Sequence, residues 1–324
     1  MSLLIVDRET VHDLLPMADC IPLMREAMIA LSTGKTRQLP RQIIGLDDGA
    51  AFGVMPGATA ETFGAKLISV YPGNFAKGLR SHQGFVALFD PATGETVALL
   101  HAGEITAIRT AAASAAATEV LARADAHRLA ILGYGEQALT HARAMALVRR
   151  LSGVVLWGRS PDRAGVLASR LEAELSLPVS VAASVRGAVA EADIVCAVTA
   201  AREPILQGAW LAPGAHVNLV GSSTAATREV DDALVVSARL FADHRAGVLA
   251  QGGEVIHAIA AGLIDESHVL GEIGEVMAGT LPGRRAEDEV TVYKSLGAVT
   301  QDLFSGWRIY RRALAEGRGV AVSF

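Results

Sequence analysis

The chain has 324 residues, 51% hydrophobic and 19% charged, which is long enough for two domains with separate cores and reads as an ordinary soluble globular protein. Its net charge of -5 comes from 34 acidic and 29 basic residues spread along the sequence, with no basic block of the kind that tracks nucleic-acid phosphates. Cys20 and Cys196 stand far apart without CxxC spacing. The first residues lack a basic start and a long apolar run, and no stretch reaches the roughly 20 unbroken apolar residues of a membrane span. A cytoplasmic protein is therefore expected, without a nucleic-acid or membrane partner. The nine histidines show no HxxxH or His-Cys spacing, so no metal is expected either.

In chain order, Met17 to Ser32 has helical spacing, and segments 64–70 and 84–90 look like strands. Segment 91–94 is a turn, with a returning strand over 95–100, and an alanine-rich helix is predicted from Thr106 to about Arg123. A regular strand-helix alternation follows. Its strands are predicted at 128–132, 153–157, 179–181, 193–198, 216–220 and 239–242, with helices at about 136–150, 161–175 and up to Val189. Segment 290–294 leads into a long helix ending near Glu316, which is expected to return to the first domain. The fold expected is α/β: a Rossmann-type doubly wound parallel sheet over residues 116–297, plus an α+β domain over 1–115 completed by 298–324.

Gly133, Tyr134, Gly135, Glu136, Gln137 and Ala138 directly follow a predicted strand and open a helix, the context in which G-x-G-x-x-G/A binds a dinucleotide. Gly133 permits a tight turn, Gly135 lets the backbone approach the pyrophosphate, and the helix start offers free N–H donors to its charge. At the end of the next strand an NAD-binding protein usually carries a carboxylate for the ribose. Here Gly158, Arg159 and Ser160 stand instead, followed by Arg163, a set that can bind a 2′-phosphate. NADP(H) is therefore the expected cofactor, with NAD(H) as the alternative.

A small acid substrate requires a cation for its carboxylate and a proton donor beside the reacting carbon. Candidates outside the Rossmann segment are Arg41, Lys66, His82 and Arg109. Lys66 and Arg109 each interrupt a small or apolar stretch, where a charge is costly unless paired or bound to ligand.

Taken together, Pro40-Arg41, Met55-Pro56, Gly64-Ala65-Lys66, segment 106–114, segment 133–137 and segment 292–297 resemble, in the same order, the ornithine cyclodeaminase/mu-crystallin family. The resemblance implies a homodimer, with Arg41, Lys66 and Arg109 on the substrate carboxylate, Met55 beside it, and Lys66 as a candidate proton carrier. It also implies cofactor contacts at Thr110, Thr199, Val220, Gly221, Ser222, Lys294 and Ser295, besides the glycine motif. Family members cyclise ornithine to proline, reduce cyclic ketimines, interconvert alanine and pyruvate, or, like mu-crystallin, bind ligands. Ornithine cyclodeaminases carry an Asp where this chain has Ser223, and a hydroxyl cannot take a proton from an ammonium as a carboxylate does. The expected reaction is accordingly reduction of Δ1-pyrroline-2-carboxylate or Δ1-piperideine-2-carboxylate to L-proline or L-pipecolate. Cyclodeamination, alanine dehydrogenation and ligand binding without turnover remain the alternatives.

Overall fold

Burial alternates along strand Phe63–Val70, with Gly64, Lys66 and Ile68 on the inner face, as a half-covered strand requires. The strand belongs to an eight-stranded sheet in a computed structural model that describes residues 2–323. Across this sheet the order is Val320–Ser323, Ser2–Val6, Thr96–His101, His82–Phe89, Phe63–Val70, Ala51–Ala58 and Arg37–Gln38, with Gln42–Gly45 also paired to Ala51–Ala58. All pairs are antiparallel except Ser2–Val6 with Thr96–His101. Helix Val299–Glu316 lies against helix Met17–Ser32 and the strands Ala51–Ala58, Phe63–Val70 and His82–Phe89. Its approach is close. A Cβ on Gly57 would stand 2.6 Å from Val299 Cγ1; between neighbouring strands, one on Gly64 would stand 1.9 Å from the Ala87 carbonyl oxygen. These elements form one compact unit, the chain up to Arg109 together with the residues from Ala298 on.

The second unit, Thr110–Gly297, holds an all-parallel sheet of eight strands. Their order is Val179–Val181, Gly153–Trp157, Arg128–Leu132, Ile194–Ala197, His216–Leu219, Thr291–Lys294, Arg239–Ala242 and Val269–Glu272. Every residue of Ile194–Ala197 and His216–Leu219 is buried, the pattern of strands covered on both faces. The strand order reverses between Arg128–Leu132 and Ile194–Ala197, so this is a doubly wound Rossmann-type sheet whose binding crevice opens beyond the carboxyl ends of those strands.

Two expectations change. The alanine-rich helix spans Ala102–Leu121 and so begins before Thr106, whose hydroxyl donates to the Ala102 carbonyl inside the helix and does not cap it. The N-terminal region also contains more strands than its sequence announces. Gln42–Gly45 is exposed along its whole length, and Ala51–Ala58 contains Gly53, Pro56 and Gly57, so neither displays an alternating apolar pattern. Among the described residues, no helix is long and apolar enough to cross a membrane.

Candidate active site

In the first unit, Lys66 and Arg109 converge on one carboxylate. Lys66 comes from the inner face of its strand, opposite Met55 in register, and Arg109 from the small-residue helix Ala102–Leu121; both side chains are almost wholly buried. Lys66 Nζ and Arg109 Nε each lie 3.2 Å from Asp302 Oδ1, and Arg109 Nη1 donates to Gln301 Oε1 at 2.7 Å. Asp302 and Gln301 sit on the buried side of helix Val299–Glu316. Burial lowers the Lys66 pKa; Asp302 raises it, and Arg109 and Arg41 lower it further, leaving it at about 8. Near neutral pH such an amine can both carry and release a proton.

His82, at the start of strand His82–Phe89, bonds through Nδ1 to Ser81 Oγ at 2.8 Å. Its pKa falls to about 4, first from desolvation and then from Lys66, Arg109 and Arg41. The imidazole is therefore neutral at neutral pH. Arg41 is half-buried and Met55 buried. The structure therefore gathers Arg41, Lys66, His82 and Arg109 within electrostatic reach of one another.

In the second unit, the glycine segment fits a dinucleotide. Gly133 has φ of +130°, and a Cβ there would stand 2.9 Å from the Val198 carbonyl oxygen. Gly135 is the N-cap of helix Glu136–Val148 without a side-chain cap, and space around its Cβ position is open. The first N–H groups of a thirteen-residue helix are thus left for an anion. Gln137 Oε1 is buried there without a hydrogen-bond partner, and a Cβ on Gly158 would run into the Tyr134 ring at 2.0 Å. Glu136 is exposed, and Thr110 is buried.

Thr199, Gly221 and Ser222 are held by two buried glutamates that the sequence reading missed. Glu229 accepts from Thr199 N, Thr199 Oγ1 and Gly221 N, each at 2.7 Å, and from Ser222 N at 3.1 Å. Burial pushes its pKa up, while Thr199 and Lys294 pull it down. Glu254 accepts from Glu229 N and pairs with Lys294 Nζ at 2.8 Å, both side chains being fully buried. Lys294 Nζ also donates to the Ser222 carbonyl at 2.6 Å, so its ammonium is engaged within the protein and braces the loop. Ser295 is buried with an unpartnered hydroxyl. Val220 and Ser223 are half-buried beside a loop closed by the Ser222 hydroxyl on Thr227.

The sequence profile of the ornithine cyclodeaminase/mu-crystallin family matches residues 2–317. The chain belongs to this family. It is 38% identical over 260 residues to the ketimine reductase mu-crystallin of Mus musculus, covering 80% of this chain and 79% of that protein. Over 285 residues it is 36% identical to the Δ1-pyrroline-2-carboxylate reductase of Paracoccus denitrificans, covering 86% and 89%. Among solved structures, it is similar to the Thermococcus litoralis Δ1-pyrroline-2-carboxylate reductase in complex with NADH and L-proline, at 34% identity and a TM-score of 0.96 over 98% of this chain and 100% of that one. The iminosuccinate reductase of Paracoccus denitrificans with NAD+ superposes at 32% identity and a TM-score of 0.92, and an archaeal alanine dehydrogenase dimer with NAD at 27% and 0.95, each over the full length of both chains.

All three of these family structures hold NADH, NAD or NAD+, which overturns the expected preference for NADP(H). The physical reason lies in the supposed phosphate set. Arg159 and Arg163 are exposed on the surface, where arginine ordinarily lies without any ligand, and the Ser160 hydroxyl is used as the N-cap of helix Pro161–Leu175, accepting from Arg163 N at 3.4 Å.

Proposed function

We propose that this protein uses NADH to reduce a small cyclic α-imino acid, Δ1-pyrroline-2-carboxylate or its six-membered homologue, to L-proline or L-pipecolate. The observation that carries the reading is the buried cluster in which Lys66 and Arg109 share one oxygen of Asp302. Two cations on one carboxylate oxygen leave donors for a second carboxylate, and the relatives named as reductases of this substrate class support that use.

NADH, when bound, supplies a hydride to the imine carbon. Arg41 and Arg109 hold the substrate carboxylate and so fix the ring. Lys66, an ammonium below about pH 8, donates a proton to the ring nitrogen and regains one from solvent, so that C=N becomes CH–NH. His82, neutral at neutral pH, orients the site and is not the proton source. The Glu229, Glu254 and Lys294 network fixes the Thr199 and Gly221-Ser222 loops on which the cofactor rests. Ser223 offers no carboxylate to deprotonate an amine, so cyclodeamination has no base at that position.

The active form is a dimer, as in the archaeal alanine dehydrogenase. Leu39, Ile43, Ile44 and Leu46 are all exposed on the single chain, a density of apolar side chains that calls for a covering partner.

The reading is tested by following NADH absorbance with Δ1-pyrroline-2-carboxylate, alongside ornithine with NAD+. NADH oxidation with formation of proline is expected. Release of ammonia from ornithine would replace the proposal with cyclodeamination, and silence in both assays together with tight NADH binding would favour a ligand-binding protein.

A further inference from the structure

Along helix Val299–Glu316 the buried stripe runs through Val299, Gly306, Ile309 and Ala313, and Asp302 stands on it where an apolar side chain would ordinarily pack. Its side chain has no exposed surface. Oδ1 is shared by Lys66 and Arg109 at 3.2 Å each, and Oδ2 is buried without a hydrogen-bond partner. Both contacts exceed the roughly 2.7–2.9 Å of a well-formed charge-assisted bond. A carboxylate kept dry, half satisfied and loosely held is a poor structural device, because an apolar side chain of similar volume packs without the desolvation. Gln301 meanwhile anchors Arg109 through Nη1, and Gln301 Nε2 is itself set against Met28 Sδ, so Arg109 keeps its place if Asp302 loosens its hold.

We propose that Asp302 is a positioning residue for the reduction: it keeps Lys66 as an ammonium in the site and yields part of its hold on Lys66 and Arg109 to the incoming substrate carboxylate. The charged and titratable groups around Lys66 come from four elements. They are Asp302 on the C-terminal helix, Arg109 on helix Ala102–Leu121, Arg41 ahead of strand Gln42–Gly45, and His82 on the strand it opens. Asp302 is the anion of this group. Burial, Arg109 and Arg41 all drive the proton off Lys66, and Asp302 opposes them. Without the carboxylate, Lys66 becomes a neutral amine at a pH where the reaction needs an acid.

The inference rests on the reductase reading for its substrate, but its charge relation can be read without turnover. Asp302→Asn keeps the shape and removes the charge. Its pH profile of kcat/KM for NADH-dependent reduction of Δ1-pyrroline-2-carboxylate should show the basic limb moved down by roughly one pH unit or more, with NADH affinity unchanged. Asp302→Glu, which keeps the charge, should leave the limb in place while lowering kcat. In parallel, calorimetric titration of the NADH complex with L-proline, repeated across pH, reports the same ionisation through carboxylate binding. A shift there in Asp302→Asn, without any reductase activity in the wild type, would uphold the role of Asp302 while the proposed substrate fell. Superimposable wild-type and Asp302→Asn profiles would overturn it, as would an equal shift in Asp302→Glu. Should Asp302→Asn fail to bind NADH through misfolding, Asp302→Glu decides: a limb at the wild-type position with reduced kcat supports the proposal, and a displaced limb overturns it.

Discussion

Lys66 titrates at about 8 because desolvation outweighs the pull of Asp302, while Arg109 and Arg41 add to the loss of charge. In the proposed reduction its acid form is the proton donor. We therefore predict that kcat/KM is level below about pH 8 and falls roughly tenfold per unit above it, and a profile level to pH 10 would remove Lys66 from the chemistry. For stability the sign is opposite. A folded pKa below the ordinary lysine value of 10.5 adds stability above that value, and this contribution is lost as pH falls through about 8. Arg109→Ala removes a buried cation from a paired carboxylate, so a loss of about 2–5 kcal/mol, at least roughly 30-fold in kcat/KM, is expected. NADH affinity measured by fluorescence should be unchanged, and an equal loss in cofactor binding would contradict the assignment. Lys66 and Arg109 were legible in the sequence because each charge interrupts a stretch of small or apolar residues. Asp302 was not, since its partner Lys66 lies 236 positions away and the helix that carries it was read only for its length. The helical spacing of Asp302 on the stripe through Val299, Gly306 and Ile309 is the signal that could have exposed it.

At the scale of elements, six strands of the parallel sheet lie close to the ends expected from sequence because they are short runs rich in apolar residues between helices, as in Ile194–Ala197, whereas Val269–Glu272, with Gly271 and Glu272, gave no such signal. The exposed Gln42–Gly45 strand and the glycine-bearing Ala51–Ala58 strand depend on tertiary pairing, and no local pattern announces them. Strand Thr291–Lys294 ends in a lysine whose fully buried ion pair with Glu254 anchors the loop beyond the neighbouring strand. Lys294→Met leaves Glu254 uncompensated, so a destabilisation of about 3–5 kcal/mol is expected, a melting temperature lower by roughly 6–20 °C. A change within about 1 kcal/mol by denaturant titration would show that the pair contributes little. The turn after strand Gly153–Trp157 admits no side chain at Gly158, where Tyr134 lies across the position. Gly158→Ala must displace that ring and should weaken NADH binding by roughly tenfold, about 1.4 kcal/mol. Unchanged affinity in a fluorescence titration would mean that Tyr134 is not part of the cofactor site.

For the whole molecule, the exposed Ile43 and Ile44 mark the face that a second copy covers in the proposed dimer. Ile44→Glu places a charge in that face, and light scattering should then give a mass near the 33.7 kDa of one chain. A dimer that survives the substitution would place the interface elsewhere. Sequence alone conveyed the two-part organisation, since the strand-helix alternation and the glycine motif are local patterns. The cofactor preference it suggested failed, because the exposed Arg159 and Arg163 look the same in sequence whether or not a phosphate is bound. Hydride transfer to an imine carbon is read out by isotope transfer. With NADH carrying deuterium at the transferable C4 position and Δ1-pyrroline-2-carboxylate as substrate, L-proline with a single deuterium at Cα is expected. Proline without the label, or oxidised cofactor without proline, would contradict it.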